Sequence, residues 1–353
     1  MSRADRLEAL VDEEGLAAIV VTNLANVRYL TGYTGTSGAC VVGAGVRVFV
    51  TDFRYVAQAE CEVDPGFDRL QGRQDLLEDA AKRVPAGRVG FEDHHLTVRA
   101  HQRLSGFVAD GTELVPAGRL VERLRAVKDA DELARIREAA RLADEALNGI
   151  VDRGLVGRAE REVALGLEAD MRSLGSEPSF PSIVAGAANG ALPHARPGDR
   201  TIGEGELVVL DFGCVVDGYC SDCTRTLATG RLPDDAAAVY DLVLDTQVAT
   251  LDRVRPGAEC RAVDAFARER IEAAGHGERF GHGLGHGVGL EVHELPTLSK
   301  AGEGELEPGN VVTVEPGVYV PDRFGVRIED LVVVTERGAE VISTAPKELR
   351  TVS

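Results

Sequence analysis

The chain has 353 residues, a hydrophobic fraction of 44%, a charged fraction of 27% and a formal net charge of −19. A chain of this length usually folds as two domains, and its acidity disfavours DNA, RNA and anionic lipid, which are bound by basic surfaces. No apolar run reaches the roughly 18 residues of a membrane-spanning helix, and the N-terminal segment lacks the features of a secretory signal. We therefore expect a soluble, cytoplasmic protein that binds neither nucleic acid nor membranes.

The first third of the chain alternates between helical and strand patterns, which predicts an α/β domain with a mixed or parallel sheet. Helices are predicted near 3–14, 54–62 and 74–84, and strands at 17–21, 39–42, 47–51 and 88–91. Pro116, Ala117 and Gly118 interrupt the pattern, and we interpret the arginine-rich stretch from 119 to 128 as a linker. We place the domain boundary near residue 124, giving domains 1–124 and 125–353.

The second domain is predicted to be α+β. Asp129 and Glu132 have the spacing of a helix cap with a reciprocal acidic partner. Helices are predicted near 130–152, 158–174, 233–254 and 260–274, and hairpin-like segments at 206–228 and 311–336. Helices followed by a hairpin thus occur twice, a pattern that indicates an internal duplication.

The six cysteines are too few for a disulfide scaffold. Cys220 and Cys223 have the spacing of half a zinc site, but no second such pair or suitably spaced histidine pair follows. We interpret them as small buried side chains on a strand, with a structural zinc as the alternative.

The first hairpin segment, ELVVLDFGCVVDGYCSDCTRTLAT, has the turn signal Asp217-Gly218 between two apolar runs. A two-residue turn there places Asp222 opposite Gly213. Because strand side chains alternate between faces, Asp222 and Asp211 then lie on one face as diagonal neighbours within reach of a common cation.

The second segment, NVVTVEPGVYVPDRFGVRIEDLVVV, places Glu315 and Glu329 at equal distances from Asp322 in the turn region, so they can share a face. Arg327 should project to the same side as Glu329 and could orient a carboxylate or a substrate anion. Taken singly, each acidic residue would more often belong to a solvated turn or edge. Four converging carboxylates, however, would repel one another unless divalent cations neutralised them.

Between the hairpins lies GHGLGHGVGLEVHE, in which His282, His286 and His293 stand among glycines, and one of them can complete the site. Four carboxylates with one imidazole suit Mn²⁺, Zn²⁺, Co²⁺ or Fe²⁺. The number of ligands indicates two ions that share bridging carboxylates.

The order LDFG, SDCTRT, GHGLGHGVGLEVHE, VEPGVY and VRIED resembles the metallopeptidases that include prolidase, aminopeptidase P and methionine aminopeptidase, which share the pita-bread fold with creatinase. In the N-terminal domain, NVRYLTGYTGTSG and TDFRY resemble the accessory domain of the proline-directed and creatinase branches. Methionine aminopeptidases typically lack that domain. The resemblance therefore implies an Xaa-Pro dipeptidase or Xaa-Pro aminopeptidase, acting on a proline-containing dipeptide or short peptide.

The resemblance also implies a ligand set for two metal ions. Asp211 would chelate one ion, Asp222 and Glu329 would bridge both, and His286 and Glu315 would bind the other. We expect Mn²⁺, with Co²⁺ or Zn²⁺ as alternatives.

Further roles concern substrate and catalysis. The resemblance implies that His194 and His293 line the site near the scissile bond, with His282 and Arg327 assisting, and we assign the general base to Glu315. His194 could instead be a loop residue between prolines. His282 could instead support the site without contacting the substrate. A proline substrate needs an apolar shelf, for which the candidates are Phe180 and Tyr319, although both could equally be packing residues.

One departure concerns specificity. Many dipeptide-specific relatives carry an arginine shortly after the VHE motif, which holds the free carboxylate of proline, whereas this chain has Thr297 there. Lys300 could substitute, or the substrate could be a longer peptide.

Two other functions remain open on the sequence: a creatinase-like amidinohydrolase, which works without metal, and a non-catalytic pita-bread module that binds peptides. The resemblance also implies a homodimer in which the TGYTGTSG region reaches the partner's active site.

Overall fold

The computed structural model describes residues 1–73 and 75–353, so residue 74, the first of the predicted helix 74–84, lies outside the described residues. The chain divides into two compact units, Met1–Arg125 and Ala126–Ser353. The boundary near residue 124 stays a prediction. Within the described ranges, no helix combines the length and apolarity that a membrane crossing requires.

Helices and strands alternate along the first unit. Its helices are α1 (Arg3–Glu13), α2 (Leu24–Thr31), α3 (Val56–Glu62), α4 (Leu76–Ala81), α5 (Val98–Phe107) and α6 (Leu120–Ala126), with a 3₁₀ turn at Phe53–Tyr55. Its strands are β1 (Ala18–Val21), β2 (Ala39–Gly43), β3 (Val46–Thr51), β4 (Asp68–Gln71), β5 (Gly87–Phe91) and β6 (Thr112–Pro116).

These strands form a mixed sheet in the order β4-β3-β2-β1-β5-β6. The pairs β1-β2 and β2-β3 are antiparallel, whereas β1-β5, β3-β4 and β5-β6 are parallel. The predicted α/β class with a mixed sheet is therefore confirmed.

Residues 119–128, interpreted as a linker, contain the division between the two units, and most of this stretch forms α6. Leu120 and Val121 are buried, and Arg125 is only 2% exposed. Its guanidinium donates a hydrogen bond of 2.7 Å to the side-chain oxygen of Asn26. A buried guanidinium of this kind is tolerated where polar partners surround it.

The second unit contains the longer helices and most of the strands. Its helices are α7 (Ala130–Arg153), α8 (Glu160–Ser173), α9 (Ala187–Gly190), α10 (Asp234–Leu251) and α11 (Cys260–Ala273), with a 3₁₀ turn at Gly277–Arg279. Its strands are β7 (Glu177–Pro178), β8 (Ile183–Gly186), β9 (Leu207–Phe212), β10 (Cys214–Val216), β11 (Tyr219–Cys220), β12 (Cys223–Ala228), β13 (Gly285–Gly287), β14 (Glu294–Leu298), β15 (Val311–Val314), β16 (Gly317–Val320), β17 (Phe324–Arg327), β18 (Asp330–Thr335) and β19 (Gly338–Val341).

The strands of this unit form antiparallel sheets in the orders β12-β9-β8, β14-β13-β15-β18-β19, β11-β10-β7 and β16-β17. Apolar residues of α7 and α8 pack in one core with β9 and β12, and those of α10 and α11 pack in another with β15 and β18. Asp129 and Glu132 form the predicted capping box at the start of α7. The α+β class is confirmed, and an internal duplication stays a prediction.

The strand registers bring the predicted acidic residues together. Strand β9 pairs with β12 so that Asp211 lies opposite Thr224, and β10 pairs with β11 across the Asp217-Gly218 turn, as predicted. In the second hairpin, Gly317 pairs with Arg327 and Val314 with Asp330, which leaves Glu315 and Glu329 facing each other between the two pairs. The reasoning from turn position and alternation is confirmed in both hairpins.

The cysteines of the first hairpin lie on its strands. Cys214, Cys220 and Cys223 belong to β10, β11 and β12, and all three are buried. Burial raises the pKa of the Cys223 thiol well above its usual value. Their interpretation as buried strand residues is confirmed.

Close backbone packing beside His286 gives a prediction about stability. A Cβ atom on Gly285 would overlap the carbonyl oxygen of Thr313 on the neighbouring strand. We expect Gly285→Ala to lower the free energy of unfolding by about 1–3 kcal/mol through overpacking. Gly166→Ala is the control, because Gly166 lies inside α8 and its neighbours there are the flexible ends of Arg158 and Arg153 and the Ile150 methyl.

The control should raise stability by about 0.5–1 kcal/mol, since alanine loses less conformational entropy than glycine. Urea unfolding is followed by circular dichroism, because the chain has no tryptophan. A Gly285→Ala protein that unfolds at the parent's urea concentration would contradict the assigned packing.

Candidate metal centre

A cavity of about 680 Å³ lies in the second unit, within the usual range for small-ligand sites. The predicted site residues all contribute to its lining: Phe180, His194, Asp211, Asp222, His282, His286, His293, Glu315, Tyr319, Arg327 and Glu329.

Three of these side chains are close enough to bind one ion. Ligand atoms of Asp222, His286 and Glu329 all lie within 4.8 Å of one another. Nε2 of His286 is also 3.2 Å from Oε1 of Glu315 and 3.6 Å from Oδ2 of Asp222. Strand β13 thus supplies an imidazole to carboxylates that come from both hairpins.

Unpartnered oxygen atoms indicate that the residues fit a metal. Oδ1 of Asp211, Oδ1 of Asp222 and Oε1 of Glu329 are buried and accept no hydrogen bond from any described residue. A buried carboxylate oxygen without a donor is costly, and a cation among these atoms would compensate that cost. The oxygen-rich donor set is one that divalent first-row metals accept.

The pKa values of these side chains in the absence of metal also indicate that cations fit the site. Burial, and then the negative charge of Glu329, raise the pKa of Asp222 well above its usual value. Burial likewise raises the pKa of Glu329, with Glu315 adding to the effect. Burial alone would lower the pKa of His286, but its hydrogen bond and attraction to Glu315 raise it to about 9. The protein therefore retains protons where the proposed ions would bind.

The contact with His286 also changes the pKa of Glu315. Burial alone would raise the pKa of this carboxyl group, but the hydrogen bond and charge of His286 lower it to about 2. Glu315 is thus ionised at neutral pH. A carboxylate in that state can accept a proton.

Arg327 connects the metal ligands to the rest of the cavity. Its Nη2 donates to Oδ2 of Asp211 at 2.6 Å, its Nε to Oγ1 of Thr224 at 3.0 Å, and its Nη1 to the hydroxyl of Tyr319 at 2.8 Å and the carbonyl of Pro193 at 3.2 Å. The structure thus pairs Arg327 with a carboxylate of the protein, one of the two roles predicted from its strand position.

The histidines occupy different positions. His282 lies 2.9 Å from the Tyr319 hydroxyl through Nε2, and burial lowers its pKa, which favours the neutral ring. His293 is exposed, and its ring centroid is 4.1 Å from that of His286. His194 is exposed on the loop after α9. Both exposed histidines line the cavity, and their catalytic roles stay predictions.

Sequence reasoning missed two threonines that hold the ligands. Thr224 donates to Oε2 of Glu329 at 2.6 Å, and Thr313 donates to Oε1 of Glu315 at 3.1 Å. Thr224 follows Asp222 by two residues and Thr313 precedes Glu315 by two. Strand alternation alone places such neighbours on the same face, so this signal was available.

Arg225 is a further residue that the sequence reasoning missed. It is 1% exposed, and it donates to the backbone carbonyl of Glu329, to Oδ1 of Asp330 at 2.9 Å and to the carbonyl of Ala345 at 3.0 Å. Oδ2 of Asp330 in turn accepts a hydrogen bond of 2.6 Å from Lys347. This network fixes the backbone that carries Glu329.

The loop that carries His194 is attached to α8. Glu160 is fully buried and accepts hydrogen bonds from the backbone nitrogens of Gly186 at 2.9 Å and Gly198 at 3.4 Å. Its carboxylate also accepts from the Asn189 amide at 2.9 Å. One buried carboxylate therefore holds both ends of the segment 186–198.

Comparison with known families matches residues 134–336 to Metallopeptidase family M24 and residues 3–127 to the Creatinase/Prolidase N-terminal domain. The chain belongs to metallopeptidase family M24. An uncharacterized peptidase of Bacillus subtilis is 41% identical over 98% of this chain and 99% of its own length. The N-terminal match accounts for the α/β unit, so the predicted combination of accessory and pita-bread domains is confirmed.

Solved structures agree with this membership. An Xaa-Pro dipeptidase from Bacillus anthracis is similar with a TM-score of 0.94, at 39% identity over 99% of each chain. An X-Pro aminopeptidase from Thermotoga maritima is similar with a TM-score of 0.89, at 33% identity over 100% of each chain. The M24 member described here is therefore a metallopeptidase with the two-domain architecture of these proteins.

The raised pKa values predict that metal binding releases protons. Asp222, Glu329 and His286 must lose their protons to act as ligands, so the metal affinity should rise as the pH increases toward about 9, the pKa of His286. Calorimetric titration in buffers with different ionisation enthalpies gives the number of protons released.

The control for this titration is Asp235→Asn, which changes an exposed carboxylate paired with Arg323 and should leave the proton count unchanged. Metal binding that releases no protons, or that weakens as the pH rises from about 6 to 8, would contradict the assignment.

The bridging position of Thr224 gives another prediction. Thr224→Val removes the hydroxyl that joins Arg327 to Glu329, and we expect the metal affinity to fall about 10- to 100-fold. Thr224→Ser keeps the hydroxyl and should bind metal like the parent. A folded Thr224→Val protein with the parent's affinity would show that the contact does not position Glu329.

Proposed function

We propose that this M24 peptidase hydrolyses the peptide bond preceding proline with the help of two divalent metal ions. The observation that carries the proposal is the convergence of four carboxylates and one imidazole on a cavity with apolar walls. The Xaa-Pro dipeptidase and X-Pro aminopeptidase among its structural neighbours support this substrate class.

We assign the ligands as the family resemblance implies. Asp211 would hold one ion, Asp222 and Glu329 would be shared by both, and His286 and Glu315 would hold the other. Mn²⁺ is the ion we expect, with Co²⁺ or Zn²⁺ as alternatives, because the set is dominated by hard oxygen donors.

The mechanism follows from the states of the surrounding side chains. Bound divalent ions would activate water and polarise the substrate carbonyl. Glu315, ionised at neutral pH, accepts a proton from the attacking water at its carboxylate. His293 or His194 donates a hydrogen bond to the carbonyl oxygen as its negative charge develops, a contribution of about 3 kcal/mol for a typical oxyanion donor.

The apolar part of the cavity suits the proline ring. Proline makes a tertiary amide without an N–H group, so its recognition depends on shape and apolar contact. Phe180 is half-buried and exposes part of its ring to the cavity, whereas Tyr319 is only 7% exposed and its hydroxyl is engaged. We therefore propose Phe180 as the main shelf and Tyr319 as a support for it.

Both rival functions are disfavoured by the ligand set. An amidinohydrolase that works without metal has no need for the five side chains, and non-catalytic modules of this fold usually lose some of them. This chain retains all five around one cavity. The homodimer and the cytoplasmic location stay predictions.

Activity should depend on both metal and proline. We expect metal-depleted protein to be inactive and to regain hydrolysis of an Xaa-Pro substrate on addition of Mn²⁺, Co²⁺ or Zn²⁺, with no comparable cleavage of Xaa-Ala. Asp222→Ala and Glu329→Ala should abolish both metal binding and turnover, because each removes a proposed bridge between the ions.

The matched control is Asp235→Ala, which removes an exposed carboxylate of the same unit. Metal analysis and peptide assays are run on the same preparations. Turnover by metal-depleted protein, or by an Asp222→Ala protein without bound metal, would overturn the scheme.

A further inference from the structure

One permanent cation in the cavity has no role in the scheme above. The lining contains two arginines, Arg196 and Arg327. Each nitrogen of the Arg327 guanidinium already donates to a protein oxygen. Arg196 is exposed, and its side chain forms no hydrogen bond or ion pair with any residue in the described ranges 1–73 and 75–353. Its donors are therefore available to a ligand.

The donors still available in the cavity indicate which group such a ligand would carry. Two divalent ions would balance the four carboxylates, and each nitrogen of Arg327 already donates to a protein oxygen. A further carboxylate that a substrate brings into the cavity therefore needs a guanidinium with available donors. Arg196 is such a guanidinium.

The loop that carries Arg196 is held in place before a substrate arrives. Glu160 fixes Gly186 and Gly198, and Arg327 donates to the carbonyl of Pro193, three residues before Arg196. Gly198 is also the acceptor of a 2.9 Å hydrogen bond from the backbone of Arg161. Such fixation lowers the entropic cost of binding a ligand at the loop.

Neither Thr297 nor Lys300 places a positive charge in the cavity lining. Thr297, at the position where the resemblance places an arginine in dipeptide-specific enzymes, lines the cavity with an uncharged side chain. Lys300, the substitute considered from the sequence, is exposed and does not belong to the lining in the described part of the chain. The cavity thus has a cation on the loop after α9 instead of one on β14.

We propose that Arg196 binds the free α-carboxylate of the residue after the scissile bond and thereby selects dipeptides ending in proline. This inference rests on the proposed Xaa-Pro activity and assigns its substrate class. A guanidinium holds a carboxylate with two parallel hydrogen bonds, a geometry that an amide or a continuing peptide chain does not offer.

The test compares Ala-Pro with Ala-Pro amide, which differ in that carboxylate. We expect the Mn²⁺-loaded parent to prefer the acid about 10- to 100-fold in kcat/KM, mainly through KM, as a charge-assisted contact predicts. Arg196→Gln should reduce this acid-to-amide ratio by about the same factor, and Arg196→Lys should keep part of it. Product inhibition by L-proline relative to L-prolinamide should change in parallel.

Lys300→Ala is the matched control, because it removes a nearby positive charge outside the lining and should leave the ratio unchanged. Melting temperatures show whether each variant is folded. Should Arg196→Gln fail to fold, the parent and Arg196→Lys still test the preference.

Equal use of acid and amide by the parent, or an unchanged ratio in folded Arg196→Gln, overturns the assignment of Arg196 while leaving the Xaa-Pro activity intact. Absence of hydrolysis of Ala-Pro, its amide and Ala-Pro-Ala by the loaded parent overturns the proposed function itself.

Discussion

Mutual repulsion among acidic side chains is the constraint on which this structure depends. Asp222 and Glu329 are buried and Asp211 and Glu315 are largely so, and among the described residues Arg327 and His286 form ion pairs with them. Three of their oxygens have no hydrogen-bond donor among the described residues. A fold that assembles such a group needs ions at its centre, and each supporting contact around the cavity keeps the ligands aimed at them.

Those supporting contacts come from strands more than from loops. Thr224 and Thr313 are strand neighbours of ligands and hold carboxylate oxygens from the same face. Arg225 lies on the opposite face of the strand from Thr224, and its guanidinium donates a hydrogen bond to the backbone carbonyl of Glu329. Because sheet register fixes all three, the ligand geometry follows from the pairing of the two hairpins.

The sequence predicted the hairpins well because turn chemistry and alternation are local. The Asp-Gly turn at 217–218 sets the register of the two halves of the first hairpin, and the polar turn around Asp322 sets the register of the second. The helices α2, α5 and α6 were missed. The short apolar patterns of α2 and α6 resemble loop or linker sequence until tertiary contacts bury them, and α5 buries only Leu104. The loop with His194 and Arg196 was equally beyond local reasoning, because its position depends on Glu160 and Arg327, both distant in the chain.

The Arg225 network extends the influence of the centre to residues far from the cavity. Ala345 and Lys347 do not belong to the cavity lining, but they bind the Arg225 guanidinium and the Asp330 carboxylate, which form the network around the Glu329 backbone. Mutational scanning scored by catalysis should therefore mark the segment around 345–347 as sensitive. Damage there would first appear as incomplete metal occupancy, although the local backbone remained folded.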